Sequence, residues 1–403
     1  MYLLASLATP GGLFRARRFR DVGLYGDYAD ALLDGRIPYR DFFVEYPPGG
    51  FLVFTPPALL PDGWYLHAFK LLMALVGLAT LAVAALVLVR LGASDRRLFG
   101  VLLALALSPL VIGPVALNTY DAFPALLVLG ALAALLYGRD SVALGLLGAA
   151  FAAKLFAAAL VSLAVLWLWR TRRPLHRPLV AFATVVIVLV GPFAAVGWDG
   201  LVDSVRAQAG RALQVESLGG AALLVADRLG LYDADVVSGS TAALSRDLAG
   251  SLPDTLAVVT TLAQVAAVLM VAAVFARGRI SPERLAVGTA ATLAGFVALA
   301  RFVSPQYLVW LVPVVPLAGV LPAVLLGAAL LLGRLWFFHY RDVFAVGGIV
   351  WLVLVRDALL LALYGVLLMR MIPSSSKTVR HDPEPSSRPS ATAVVDGDER
   401  RSR

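Results

Sequence analysis

The chain of 403 residues contains no cysteine. Disulfides and thiolate metal sites are thereby excluded, and thiols carry no information about compartment. Histidine is scarce: His67, His176, His339 and His381 are scattered, which argues against a His-rich metal site. Charge is scarce too, at 15% of residues, against roughly 25% in soluble globular proteins. What fills the space is apolar: 60% of residues are hydrophobic. Such a chain cannot hide its surface in one water-soluble core, so the bilayer is the expected solvent. The formal charge of +8 fits arginine-rich cytoplasmic loops better than nucleic-acid binding, because no soluble basic module is present to carry the latter.

Apolar runs alternate with short polar punctuation. The pattern predicts helices at 66–91, 98–117, 122–137, 141–153, 155–169, 178–197, 253–276, 285–302, 305–318, 320–336 and 346–369. Several are shorter than the roughly 20 residues a span needs. The pair meeting at Lys154 reads as a short hairpin, and Pro313, Pro316 and Pro322 break the segment 305–336. The expected fold is all-α and polytopic, with about 11–12 transmembrane or half-membrane helices. The loops Arg90–Arg97, Arg170–Arg177 and Arg277–Arg284 are arginine-rich and are assigned to the cytoplasm. Residues 21–65 and 198–252 then fall outside as ordered loops, around a membrane domain spanning 66–372. Residues 373–403 are Ser, Pro and charge, and read as a disordered cytoplasmic tail. The stretch 1–20 is too short to span and is interrupted by Pro10, Gly11 and Gly12. It reads as the remainder of a longer first helix whose start lies upstream.

Polar residues concentrate on the predicted outer side. The stretch PYRDFFVEYPPGG, Pro38–Gly50, holds Arg40, Asp41, Glu45 and Tyr46. Before it, Asp21, Tyr25, Tyr28 and Leu32 share one helical face, with Gly35 placed to end that helix. Asp121 lies in one outer turn and Lys154 caps the hairpin. Arg211, Gln214 and Glu216 lie in the long loop; Arg301 and Gln306 lie in another outer turn. A charge at bilayer depth costs about 2.5–3.5 kcal/mol and usually serves function. Some of these groups have structural readings: Arg40 with Asp41 as a loop-ordering pair, Asp121 with Lys154 across two turns, Glu45 as loop structure or acceptor contact. Trp64, Trp198 and Trp336 read as interface anchors.

Three motifs, DVGLYGDYADALLDGRIPYRDFFVEYPP, QVES at Gln214–Ser217 and SPQYLVWLVP at Ser304–Pro313, carry a resemblance. The sequence resembles the GT-C membrane glycosyltransferases, and most of all the actinobacterial, alpha-mannosyltransferase-like proteins of glycosyltransferase family 87. The resemblance implies transfer of a sugar, with inversion, from a polyprenyl-phosphate donor to a lipid or glycan acceptor at the outer face of the plasma membrane. It implies Asp21 as general base. Lys154 and Arg301, with Arg211, are then the candidates for the leaving phosphate. Tyr25, Arg40, Asp41, Glu45, Tyr46, Asp121, Gln214, Glu216 and Gln306 are the remaining candidates for substrate contact. No cofactor is expected; the first-loop acids permit a divalent metal, but no spaced ligand set demands one. A transporter or flippase of a lipid-linked sugar is the alternative, since broken helices and buried charges occur there too. It would require polar groups reachable from both sides, and here they gather on one.

Overall fold

The computed structural model describes residues 1–8, 20–61, 63–239, 245–338 and 349–372. The tail 373–403, most of the stretch 1–20 and His339 lie outside the described residues. A short helix α1 (Tyr2–Ala8) precedes α2 (Arg20–Leu33), α3 (Phe51–Ala58) and the long α4 (Tyr65–Arg90). Then follow α5 (Asp95–Ile112), α6 (Val115–Asn118), α7 (Ala122–Leu136), α8 (Asp140–Ala153), α9 (Ala158–Arg170) and α10 (His176–Ala209). After a loop containing α11 (Leu218–Arg228) come α12 (Ser251–Arg277), α13 (Pro282–Ala298), α14 (Val320–Phe338) and α15 (Val350–Met371). Helices α4, α10, α12 and α15 are each long and apolar enough to cross a membrane. The chain is a multi-pass membrane protein of the expected all-α class, with one small sheet among the described residues. That sheet lies in the loop after α10. Strand β1 (Leu213–Gln214) pairs with β3 (Arg246–Ala249), and β3 with β2 (Asp235–Ser238), both antiparallel.

One end of the helical body is built by arginines that take the orphan carbonyls of helix C-termini. Arg90 Nε donates to Leu136 O at 3.0 Å, and Arg170 Nη2 to Gly278 O at 3.1 Å. Arg284 Nε donates to Met371 O at 3.0 Å. A cation at a helix C-terminus satisfies these carbonyls and complements the dipole. The same end holds the ion pair of Arg173 with Asp140 at 2.9 Å. It ties the start of α8 to the end of α9, so Lys154 between them lies at the opposite end, where Tyr120 donates to the Ala153 carbonyl at 3.0 Å. The hairpin expected at Lys154 is therefore present. Within the body, hydroxyls return to their own helices, as Thr289 Oγ1 does to Leu285 O at 2.9 Å. Apolar surroundings demand such internal pairing.

Four expectations differ from the structure in detail. The span 98–117 is divided because Gly113 has φ +73 and Pro114 follows it. The helix expected to stop at 197 continues to Ala209 across non-helical backbone at Gly197. Residues 198–209 are thus helix rather than outer loop. The segment 305–318 is not a helix but two 3-10 turns, Pro305–Trp310 and Val315–Ala318. Pro313 and Pro316 remove the donors a continuous helix requires, and the backbone there is buried in protein. Trp336 is not an interface anchor: it is fully buried, with Arg356 over its ring at 5.9 Å.

The first loop docks onto the kinked α10 through glycine. A Cβ at Gly200 would collide with the Tyr39 carbonyl oxygen, and one at Gly197 would lie 3.0 Å from the Arg40 nitrogen. Gly200→Ala is expected to destabilise by about 1–3 kcal/mol, the usual result of forcing atoms into a packed contact. A lower thermal midpoint of the protein in detergent would show it. An unchanged midpoint would mean that this contact is looser than the geometry implies.

Candidate active site

Below the second end, a cavity of about 1340 Å³ opens between the first loop, α8, α10, α13 and the turn at Ser304–Trp310. Its charged lining residues are Asp21, Glu45, Lys154, Arg211, Glu216 and Arg301. Its apolar lining includes Phe151 of α8, Val186 and Val190 of α10, and Phe296 of α13.

Lys154 is the most constrained cation. It sits in an extended residue between two helical segments, where the helix of α8 stops. Its ammonium donates to Asp121 Oδ1 at 2.6 Å, and the Trp310 indole donates to the same oxygen at 2.6 Å. Four rings surround the ammonium: Tyr120 at 4.6 Å, Trp310 at 5.4 Å, Tyr307 at 5.6 Å and Tyr46 at 5.7 Å. Ring faces carry negative potential and hold a cation without neutralising it. Trp310 is itself held by stacking on Phe156 at 4.0 Å and Tyr307 at 4.4 Å. Asp121 is completely buried and does not line the cavity; among the described residues its other oxygen has no hydrogen-bond partner.

Glu45 and Arg211 form a second pair at 3.2 Å, joined by Gln208, which donates to the Glu45 carbonyl at 3.2 Å. Arg211 also lies over the Phe302 ring at 4.9 Å. Arg301 donates to the Ala209 carbonyl, and its own carbonyl accepts from the Gln214 N–H at 2.9 Å. Burial lowers the pKa of the Arg301 guanidinium from its ordinary value. Gln214, Glu216 and Gln306 also line the cavity, as do Asp21 and Tyr46.

Besides Asp121, three of the candidates do not line the cavity. Tyr25 is packed among rings behind the cavity, stacked on Phe54 at 4.4 Å. Arg40 and Asp41 pair at 2.8 Å on the exposed rim of the first loop. There the Arg40 hydrogen bond, and then the Ile37 N–H, hold the Asp41 carboxyl below its usual range. The sequence reading did not single out Trp310 or Gln208. Trp310 was visible as part of SPQYLVWLVP, three residues after Tyr307. Gln208 lies one turn from Ser204 on a segment read as loop. Among the described residues no group of three or more His, Asp or Glu side chains is arranged to hold a metal ion.

The sequence profile of glycosyltransferase family 87 matches residues 43–305, well over half of the chain. The chain belongs to glycosyltransferase family 87. It is therefore a membrane glycosyltransferase. The matched span takes in Glu45, Asp121, Lys154, Arg211, Glu216 and Arg301, while Asp21 and Gln306 flank it. Solved structures similar to this family 87 chain include ArnT from Cupriavidus metallidurans bound to undecaprenyl phosphate. The two are 15% identical, covering 92% of this chain and 75% of that one, with a TM-score of 0.48. ArnT in the apo state is 16% identical, covering 92% and 76%, with a TM-score of 0.47. No curated protein matches the chain significantly.

Proposed function

We propose that this family 87 protein moves a sugar, mannose, from a polyprenyl-phosphate donor to a hydroxyl of a lipid or glycan. The observation that carries this reading is the cavity itself, which carboxylates and cations line together with apolar side chains of α8, α10 and α13. A donor with a charged phosphate, a polar sugar and a long hydrocarbon tail needs both kinds of lining. The arginine-rich end is read as cytoplasmic, which turns the cavity to the outer face of the plasma membrane and the tail 373–403 inward.

The chemistry follows from the residues. The acceptor oxygen attacks the anomeric carbon on the face opposite the phosphate, and the configuration inverts. Asp21 takes the acceptor's proton, which requires hydrogen-bond reach of about 2.6–3.2 Å once substrate is bound. The bond from the anomeric carbon to the phosphate oxygen breaks, and charge grows on the departing polyprenyl phosphate. Lys154 meets that charge as a point cation, while Arg211 and Arg301 offer planar, bidentate donors. All three are oriented before substrate arrives, which is what makes fixed charges effective in a water-poor site. Glu45 orients Arg211, and Asp121 orients Lys154.

The reading is tested by sugar transfer in membranes carrying the chain. Labelled polyprenyl-phosphate mannose is supplied as donor, with total cell lipid as acceptor. Labelled lipid or glycan product supports it. Donor that crosses the bilayer without product would instead support a transporter of the lipid-linked sugar.

A further inference from the structure

We propose that Glu216 is a sugar-hydroxyl ligand that works as a neutral carboxylic acid, donating a hydrogen bond from one oxygen and accepting at the other. This rests on the glycosyltransferase reading of the cavity and adds a residue role to it.

Glu216 lies in the loop between α10 and α11, outside the membrane-spanning segments, and lines the cavity although only 4% of it is exposed. Its backbone is fixed from three directions. Val215 N–H donates to Arg246 O at 3.1 Å, and Gln214 N–H to Arg301 O at 2.9 Å. Ser217 Oγ caps α11 by accepting from Gly220 N–H at 3.1 Å. Gly220 is so close to Gln214 that any Cβ there would strike its carbonyl oxygen. The backbone position from which the Glu216 side chain starts is therefore fixed.

Two cations stand near, and both are occupied. Arg356, buried on α15, donates to the Glu216 backbone carbonyl, but its charge is matched by Asp357 at 2.8 Å. Arg211 pairs with Glu45 at 3.2 Å. Among the described residues, the Glu216 Oε2 is buried with no hydrogen-bond partner. An ionised carboxylate in such a place is costly, whereas a neutral acid there can pair with a ligand hydroxyl. The charged and titratable groups around it are Arg356 and Asp357 of α15, Arg211 of the loop after α10, and Asp247 of β3. Burial outweighs the two arginines and pushes the Glu216 carboxyl up to about 8, with Asp357 and Asp247 pushing the same way. The proton is then held through neutral pH and lost above it.

The test uses the full chain in lipid nanodiscs with polyprenyl-phosphate mannose as the probe donor. Wild-type kcat/KM is expected to fall about tenfold between pH 7 and pH 9, as the acid form falls from most of the population to about a tenth. The fall should lie in KM rather than kcat. A rise in donor KM assigns the hydroxyl to the transferred sugar; a rise in acceptor KM assigns it to the acceptor. Glu216→Gln, which keeps a donor and an acceptor but cannot ionise, should lack this alkaline limb. Glu216→Ala should raise KM at every pH. Infrared difference spectra, wild type minus Glu216→Gln, read the protonated carboxyl without any turnover. Its carbonyl band should be present at pH 6 and vanish with a midpoint near the value burial imposes. Absence of the band at pH 6 would overturn the proposal. So would a band accompanied by identical pH profiles for wild type and Glu216→Gln. A band without transfer from any polyprenyl-phosphate sugar would overturn the reading of the cavity, and this inference with it.

Discussion

Asp21→Asn is expected to lower kcat for sugar transfer by about 10²- to 10⁴-fold, the contribution a positioned base makes to proton removal. Asparagine keeps the size and polarity of the side chain but cannot accept a proton, so folding should be preserved and donor binding nearly so. Asp21 lies in the first turn of α2, where a carboxylate also complements the helix dipole. That purely structural role predicts a different outcome. Loss of a dipole contact would shift stability by about 0.3–1 kcal/mol and leave the rate constant almost intact. Single-turnover transfer with prebound labelled donor separates the two. A rate within threefold of wild type would remove Asp21 as base and direct the search to Glu45, the other cavity carboxylate of the first loop.

The second large effect is expected at Asp121 and Lys154. Removing one member of a buried ion pair leaves the other charge unpaired, at a cost of about 3–5 kcal/mol. Asp121→Ala should therefore be strongly destabilised, although Asp121 does not line the cavity. Lys154→Met should be destabilised too, because it strands the Asp121 carboxylate, leaving it only the Trp310 donor. The double substitution Asp121→Leu with Lys154→Met removes both charges. It should recover most of the stability, read by chemical unfolding in mixed micelles, since buried pairs are often replaceable by apolar residues of similar volume. Transfer should not recover, because the cation for the leaving phosphate is gone. A double variant that regained both stability and transfer would make the pair purely structural.

The two pairs also explain how the polar first loop connects to its surroundings. Glu45 closes onto Arg211 and Gln208, and Tyr46 supplies one ring around Lys154. The loop thus contributes one wall of the cavity. Its other charged pair, Arg40 with Asp41, stays on the rim, and its inner face packs as rings around Tyr25. In the sequence these residues are equivalent members of one dense polar stretch. Nothing local separates Glu45, which reaches 166 residues along the chain, from Asp41, which pairs with its neighbour.

Backbone breaks were legible wherever they are written in residue type. Gly35 ends α2 with φ +84, as its placement implied, because a residue without Cβ is the cheapest one there. The prolines between 305 and 322 announced a broken segment, though not that it would resolve into 3-10 turns. The kink at Gly197 was misread as the end of a helix. Its continuation to Ala209 is stabilised by contacts with the first loop, a tertiary effect invisible in a local window.

By itself the sequence determined that this chain lives in a membrane and is built of helices. Those properties follow from hydropathy and its periodic interruption, which accumulate along the chain and need no knowledge of packing. Only the tertiary structure decided which charges meet. The pair of Asp121 with Lys154 is one the sequence already offered, and the structure bears it out; Glu45 with Arg211, and Arg356 beside Glu216, are set by how segments far apart in sequence lie against one another. The pairing leaves Lys154 caged but facing the cavity, and the two arginines near Glu216 paired with other carboxylates. The chemistry of the site depends on those residual charges, which arise from the sum of neighbours in space and not from the order of residues along the chain.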